Sequence, residues 1–168
     1  MKTYTINDFG KIEEIIKSAQ TCFIGINNPE GAPYIIPMNF GYENGIFYLH
    51  SGPEGKKTEL IRNDNRISLS LHGNTKLVFQ HPEVACSYSM AAESIVCEGK
   101  VKLITDYDEK IRCLNIIMRH YTDREFKYNA PAVNNICIWE IKPEQIFCKS
   151  FGNSAKINST MKSVSRLS

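Results

Sequence analysis

The segment Gly52-Pro53-Glu54-Gly55-Lys56-Lys57-Thr58 holds the residue types that a phosphate group requires. Its glycines leave backbone N–H groups accessible, the loop offers room, and a basic pair opens a helical stretch, where donors and positive charge meet. A Walker A loop is excluded, because two residues rather than four separate Gly52 from Gly55 and a second lysine follows Lys56 in place of Ser or Thr. By itself a lysine doublet at a helix start is equally a solvated pair.

Other side chains with chemical potential are less informative. His50 ends a strand, where it could bind a ligand or serve as a polar strand end. His72 closes the following strand, His81 precedes Pro82 in a loop, and His120 ends a helix whose dipole its charge would complement, so these three read as structural. The six cysteines contain no Cys-x-x-Cys pair, and Cys97 and Cys137 sit inside apolar runs. They read as reduced, buried thiols, with no metal site and no disulfide framework. Trp139 and Tyr48 read as core or interface aromatics. No catalytic side chain is assigned.

The elements that position this loop follow from pattern. Phe9, Ile12, Ile15, Ile16 and Ala19 recur at helical spacing over 7–19, with Asn7 or Asp8 as cap. Strands are expected over 22–26 and 33–42, the latter closing on Asn44-Gly45, a hairpin signal, before a strand over 46–50. A helix from Lys57 to Asn63 follows the loop, then an alternating strand over 66–72. Residues 73–82 give no clear signal; 84–90 and 94–105 read as strands, with Gly99 marking a bulge or close approach. Asp106 and Glu109 resemble a capping box for a helix through Arg119. The stretch 122–134 reads as loop, and strands over 136–141 and 145–149 flank a turn at Pro143. The sum is a mainly β, α+β chain: six or seven antiparallel strands in a closed or nearly closed sheet with flanking helices. Regular β-α-β alternation and a Gly-x-Gly-x-x-Gly motif are both missing, which excludes a Rossmann domain.

At 168 residues, 42% apolar and 23% charged, the chain has the size and composition of one globular domain. No run of about 18 apolar residues suggests a membrane span. A formal charge of +2 with interspersed signs argues against nucleic acid as partner. The start of the sequence lacks an apolar signal core, so a cytoplasmic location is expected. After Glu144 the charged residues are all basic, which reads as a polar tail.

The order Pro33-Tyr34-Ile35-Ile36-Pro37-Met38-Asn39-Phe40, Asn44-Gly45-Ile46-Phe47-Tyr48-Leu49-His50-Ser51, Gly55-Lys56-Lys57 and Leu60-Ile61-Arg62-Asn63 resembles the pyridoxamine 5′-phosphate oxidase-like FMN-binding family, in particular its nitroimidazole-resistance (Nim-type) branch. The likeness continues through Glu93 to Lys100, Glu109-Lys110 and Trp139 to Glu144. It implies an FMN-binding split β-barrel over residues 1–150, followed by a basic tail over 151–168. It further implies a homodimer with FMN at the subunit interface, Pro37, Met38 and Asn39 along the isoalloxazine and ribityl chain, and His50, Ser51, Lys56 and Lys57 at the phosphate. Ser94 would help to close the site. Two departures stand out: Ala92 and Glu93 replace the aromatic residue and Arg that relatives commonly carry, and Lys56 stands where many have Arg.

The function so implied is an FMN-dependent reductase of a small-molecule acceptor, such as a nitroaromatic compound, with NAD(P)H as candidate electron donor. Pyridoxamine phosphate is disfavoured as substrate, since residues 151–156 lack the basic signature its oxidases use. The alternative is a non-catalytic flavin or haem carrier or sensor on the same barrel, with His50, His72 or His120 as the axial donor for haem.

Overall fold

A computed structural model describes residues 3–152. The elements run β1 (Thr3–Thr5), α1 (Phe9–Ser18), β2 (Cys22–Ile26), β3 (Tyr34–Met38), β4 (Phe40–Glu43), β5 (Ile46–Ser51), α2 (Lys56–Asn63), β6 (Arg66–His72), β7 (Lys76–Val78), a 3-10 turn (Ala85–Ser87), β8 (Ser89–Ile104), α3 (Tyr107–Tyr121), α4 (Ala130–Asn134) and β9 (Cys137–Phe151).

All pairings are antiparallel, in the order β3-β2-β6-β8-β9-β5-β4, with β1 added on β9 and β7 on β8. The two ends of this path, β3 and β4, are joined in the chain by one residue, Asn39. The sheet must therefore curl until its ends meet, which makes a barrel split at Asn39. A single strand was expected over 33–42. The structure breaks it there, because its first half pairs with β2 and its second half with β5.

Inward-facing Ile24, Phe40, Phe47, Leu49, Leu69, Ile95 and Trp139 fill the barrel, and α1 plugs it with Ile12, Ile15 and Ile16. The Asp8 side chain caps α1 by accepting the Lys11 N–H at 2.7 Å. A second cluster lies outside the barrel wall, where Cys113, Ile116 and Ile117 of α3 cover Tyr48, Ile104 and Ile138. The Asn44-Gly45 hairpin is present with both residues at positive φ, 52° and 81°.

Three other expectations need correction. Residues 136–149 form one strand, not two: Pro143 lies opposite Gly99, where the register slips by one residue, and a bulge is where a strand tolerates a residue without an N–H. The strand expected over 84–90 is a 3-10 turn held by the Ser87 hydroxyl, with β8 starting only at Ser89. The loop expected over 122–134 ends in α4, capped by the Asn129 side chain. The last strand runs through Phe151, and the rest of the expected tail, 153–168, lies outside the described residues.

Candidate functional site

Helix α2 starts without a side-chain cap, since its N-cap residue is Gly55. The Thr58 N–H turns back onto the Gly55 carbonyl at 2.9 Å, which leaves the Lys56 and Lys57 N–H groups without an intrahelical acceptor at the positive end of the dipole. Gly55 has φ 102° and ψ 169°, a combination essentially restricted to glycine. A Cβ there would meet nothing within 4 Å, so the space over the helix start is open.

The loop before it is fixed by its own side chains. Ser51 Oγ donates to the Gly52 carbonyl at 2.9 Å, Thr58 Oγ1 donates to the same oxygen at 3.2 Å, and Arg62 Nη2 donates to the Pro53 carbonyl at 3.1 Å. Ser51 and Thr58 are both buried. Their hydroxyls both bond the Gly52 carbonyl and so fix the shape of the loop that carries the implied phosphate contacts.

The two lysines diverge. Consecutive helical residues point about 100° apart. Lys56 swings its Nζ to 5.3 Å from the centre of the Tyr34 ring, at the edge of a cleft of about 640 Å³ that Asn28, Glu30, Glu59 and Asn63 also line. Lys57 lies on the side of His50. The His50 imidazole is held below its ordinary pKa of 6.5, first by loss of solvent and then by the Lys57 charge. Lys57 and the open helix start, with the Lys57 charge reaching His50, make up one corner of the loop, and Lys56 points away from it toward Tyr34.

On the split strand, exposure alternates. Pro37 and Asn39 are exposed, whereas Met38 turns into the core, and its carbonyl accepts the Cys22 thiol at 3.4 Å. Pro37 begins a cross-strand row, Pro37-Phe23-Ser70-Val96-Phe147, along the outer barrel face. Ser94 lies on that same face, two residues before Val96. Phe23, Ile35 and Phe147 are exposed there, Ile35 by 65%. Glu93, which stands in place of a cation, lies 3.8 Å from Lys11 of α1.

The remaining candidates behave as structural groups. His72 Nδ1 lies 2.9 Å from the Gly73 carbonyl, His120 Nε2 lies 2.7 Å from the Ala19 carbonyl, and His81 Nδ1 accepts the Glu83 N–H. Trp139 is fully buried and its indole N–H has no partner among the described residues. Burial pushes Cys22 and Cys97 up to about 12 and Cys113 to about 11, which keeps these thiols protonated and unreactive. Among the described residues no group of His, Cys, Asp and Glu could hold a metal ion, and no helix is long and apolar enough to cross a membrane.

Sequence reading missed Tyr34 and Tyr121. Tyr121 Oη accepts the Phe40 N–H at 2.9 Å and donates to the Gln20 carbonyl at 3.0 Å, over separations of 81 and 101 residues. No local signal announces such contacts.

The open helix start and the Lys57 ammonium at this corner offer the donor types that a phosphate monoester takes.

Comparison with known proteins places the fold in a family. The family profile for pyridoxamine 5′-phosphate oxidase matches residues 8–150. A candidate 5-nitroimidazole antibiotic resistance protein from Bacteroides thetaiotaomicron is 49% identical, with a TM-score of 0.81 over 89% of this chain and 87% of that one. Two more distant structures share the fold. They are the flavocytochrome Anf3 from Azotobacter vinelandii, with 18% identity and a TM-score of 0.76 over 89% of this chain and 70% of that one, and an FAD- and haem-binding protein from Mycobacterium smegmatis, with 13% identity and a TM-score of 0.76 over 90% of this chain and 75% of that one. No match was found among curated proteins. With the profile spanning most of the barrel and a relative at 49% identity, the chain belongs to the pyridoxamine 5′-phosphate oxidase-like split-barrel family, beside its nitroimidazole-resistance members.

Proposed function

We propose that this protein binds FMN as a homodimer and reduces a small acceptor, with nitroaromatic compounds as the leading class and NAD(P)H as electron donor. The observation that carries the reading is the corner at the α2 start, where the helix has no side-chain cap, opens on Gly55 at φ 102° and carries Lys56 and Lys57, with the Lys57 charge reaching His50. The 49% identical relative supports the acceptor class.

FMN would supply the electron exchange itself. The chain's own residues perform the rest. Lys57 and the helix N–H groups hold the phosphate, and Lys56 adds charge from the margin. Pro37 and Asn39 lie along the flavin on the exposed side of the split strand, where the Asn39 amide can donate to or accept from the ring. Met38 backs the strand from within, and Ser94 lines the same outer face. A second copy would cover the exposed row around Phe23 and Phe147, removing apolar surface from water and drying the site.

The double variant Lys56→Ala/Lys57→Ala tests this placement. Its expected outcome is a folded protein that releases FMN on dialysis, against a native protein that stays yellow; unchanged FMN affinity refutes the placement. Catalysis is separated from carriage by reoxidation of the reduced holoprotein with nitroaromatics, quinones and oxygen. If none of them accelerates reoxidation, the carrier reading replaces the enzyme.

A further inference from the structure

The barrel opens at Asn39, and the residues after it are held from outside by the end of α3. Phe40 is fully buried, yet its N–H donates to the Tyr121 hydroxyl at 2.9 Å. That hydroxyl donates in turn to Gln20 O at 3.0 Å, on the connection between α1 and β2. The neighbouring His120 ring packs on Phe40 with centroids 4.4 Å apart, and its Nε2 donates to Ala19 O at 2.7 Å. One residue further on, β4 runs so close to α3 that a Cβ on Gly41 would lie 2.6 Å from the Ile117 nitrogen and 2.7 Å from the Ile116 oxygen. The chain is thus gripped at Phe40 and Gly41, while Asn39 beside them is exposed.

We infer that Tyr121 is a positioning residue for the flavin site: its hydroxyl fixes the Phe40 N–H and thereby the direction in which Asn39 presents its amide. This rests on the proposed placement of Asn39 along FMN. A hydroxyl that accepts the N–H of buried Phe40 and donates to the exposed Gln20 carbonyl ties two backbone segments together, and its loss leaves both free to shift. A shift at Phe40 turns the adjacent peptide and with it Asn39. The spacing of the Tyr121-Phe40 bond is that of an ordinary hydrogen bond.

FMN titration of flavin-free full-length protein in a double-mutant cycle tests the inference. Tyr121→Phe is expected to raise the FMN dissociation constant by roughly fivefold in the native background and to leave it unchanged in the Asn39→Ala background. Incorporation of 3-fluorotyrosine and then 3,5-difluorotyrosine at 121 weakens the acceptor without removing it, and should weaken FMN binding in that order even if Tyr121→Phe does not fold. A lower melting temperature with unchanged FMN affinity would make Tyr121 a purely structural residue and overturn the inference. The same fold-change in both backgrounds would overturn it too, by showing action independent of Asn39. If Asn39→Ala alone binds FMN as the native protein does, Asn39 leaves the flavin site and the inference falls with it. The phosphate placement is still judged separately by the lysine variant.

Discussion

Two helix ends in this molecule are built in opposite ways. The start of α2 is unfinished: its cap is a glycine, its first N–H groups point into open space, and its lysines diverge toward His50 and Tyr34. The end of α3 is complete, with His120 and Tyr121 bonded to Ala19, Gln20 and Phe40, and with its backbone pressed against Gly41. A region whose donors are all engaged can hold a shape but has nothing left to offer a ligand. A region with free donors and fixed loop geometry is poised to bind. On the proposed reading, the completed end sets where the split strand sits and the open end would hold the phosphate of what lies along it.

Breaking the completed end should have the largest effect. Gly41→Val places a branched side chain into the α3 backbone, and should cost about 3 kcal/mol or more, read as a lower urea midpoint or loss of soluble protein. A Gly41→Val protein with native stability would mean that β4 and α3 are not held in this close contact.

A smaller effect sharpens the asymmetry within the open end. If the anion sits in the corner shared with His50, Lys57→Ala should weaken FMN binding by about tenfold, as expected for a charged hydrogen bond worth roughly 1.5 kcal/mol. Lys56→Ala should weaken it only about twofold, through loss of screened charge at a distance. Equal losses in the two single variants, measured by fluorescence titration, would move the phosphate to a point between the lysines.

The smallest effect concerns pH. Folding holds His50 below 6.5, so the native state disfavours its protonation relative to the unfolded chain. The contribution of His50 to stability is therefore complete above the ordinary imidazole value and declines as pH falls through it. An anion bound in the corner acts in the opposite direction and should raise the His50 pKa. An NMR titration of the His50 ring with and without inorganic phosphate reads both directions, and no upward shift with phosphate would place the anion elsewhere.

Much of the fold was legible because it is written in short-range pattern. Alternation marked β6, the three- and four-residue steps marked α1 with Asp8 at its cap, and Asn44-Gly45 marked the hairpin. The failures share a cause. Pro143 looks like a turn when read locally, and only its partner across the sheet, Gly99, shows that it occupies a bulge inside one long strand. Residues 33–42 read as one strand because nothing local distinguishes its two halves. The break at Asn39 arises from their different partners, β2 and β5.

The candidate site divides in the same way. The sequence alone determined that a glycine, a basic pair and a helix would follow one another at residues 55–57, and that Pro37, Met38 and Asn39 would lie along one extended stretch. These are properties of neighbours along the chain, fixed by the geometry of helix and strand. Only the tertiary structure decided that Lys57 rather than Lys56 faces His50, that the Ser51 hydroxyl is spent on its own loop, and that Tyr121 reaches the bend beside Asn39. The orientation of α2 and the closure of the barrel set those relations, and both depend on contacts between residues tens of positions apart, for which local sequence carries no signature.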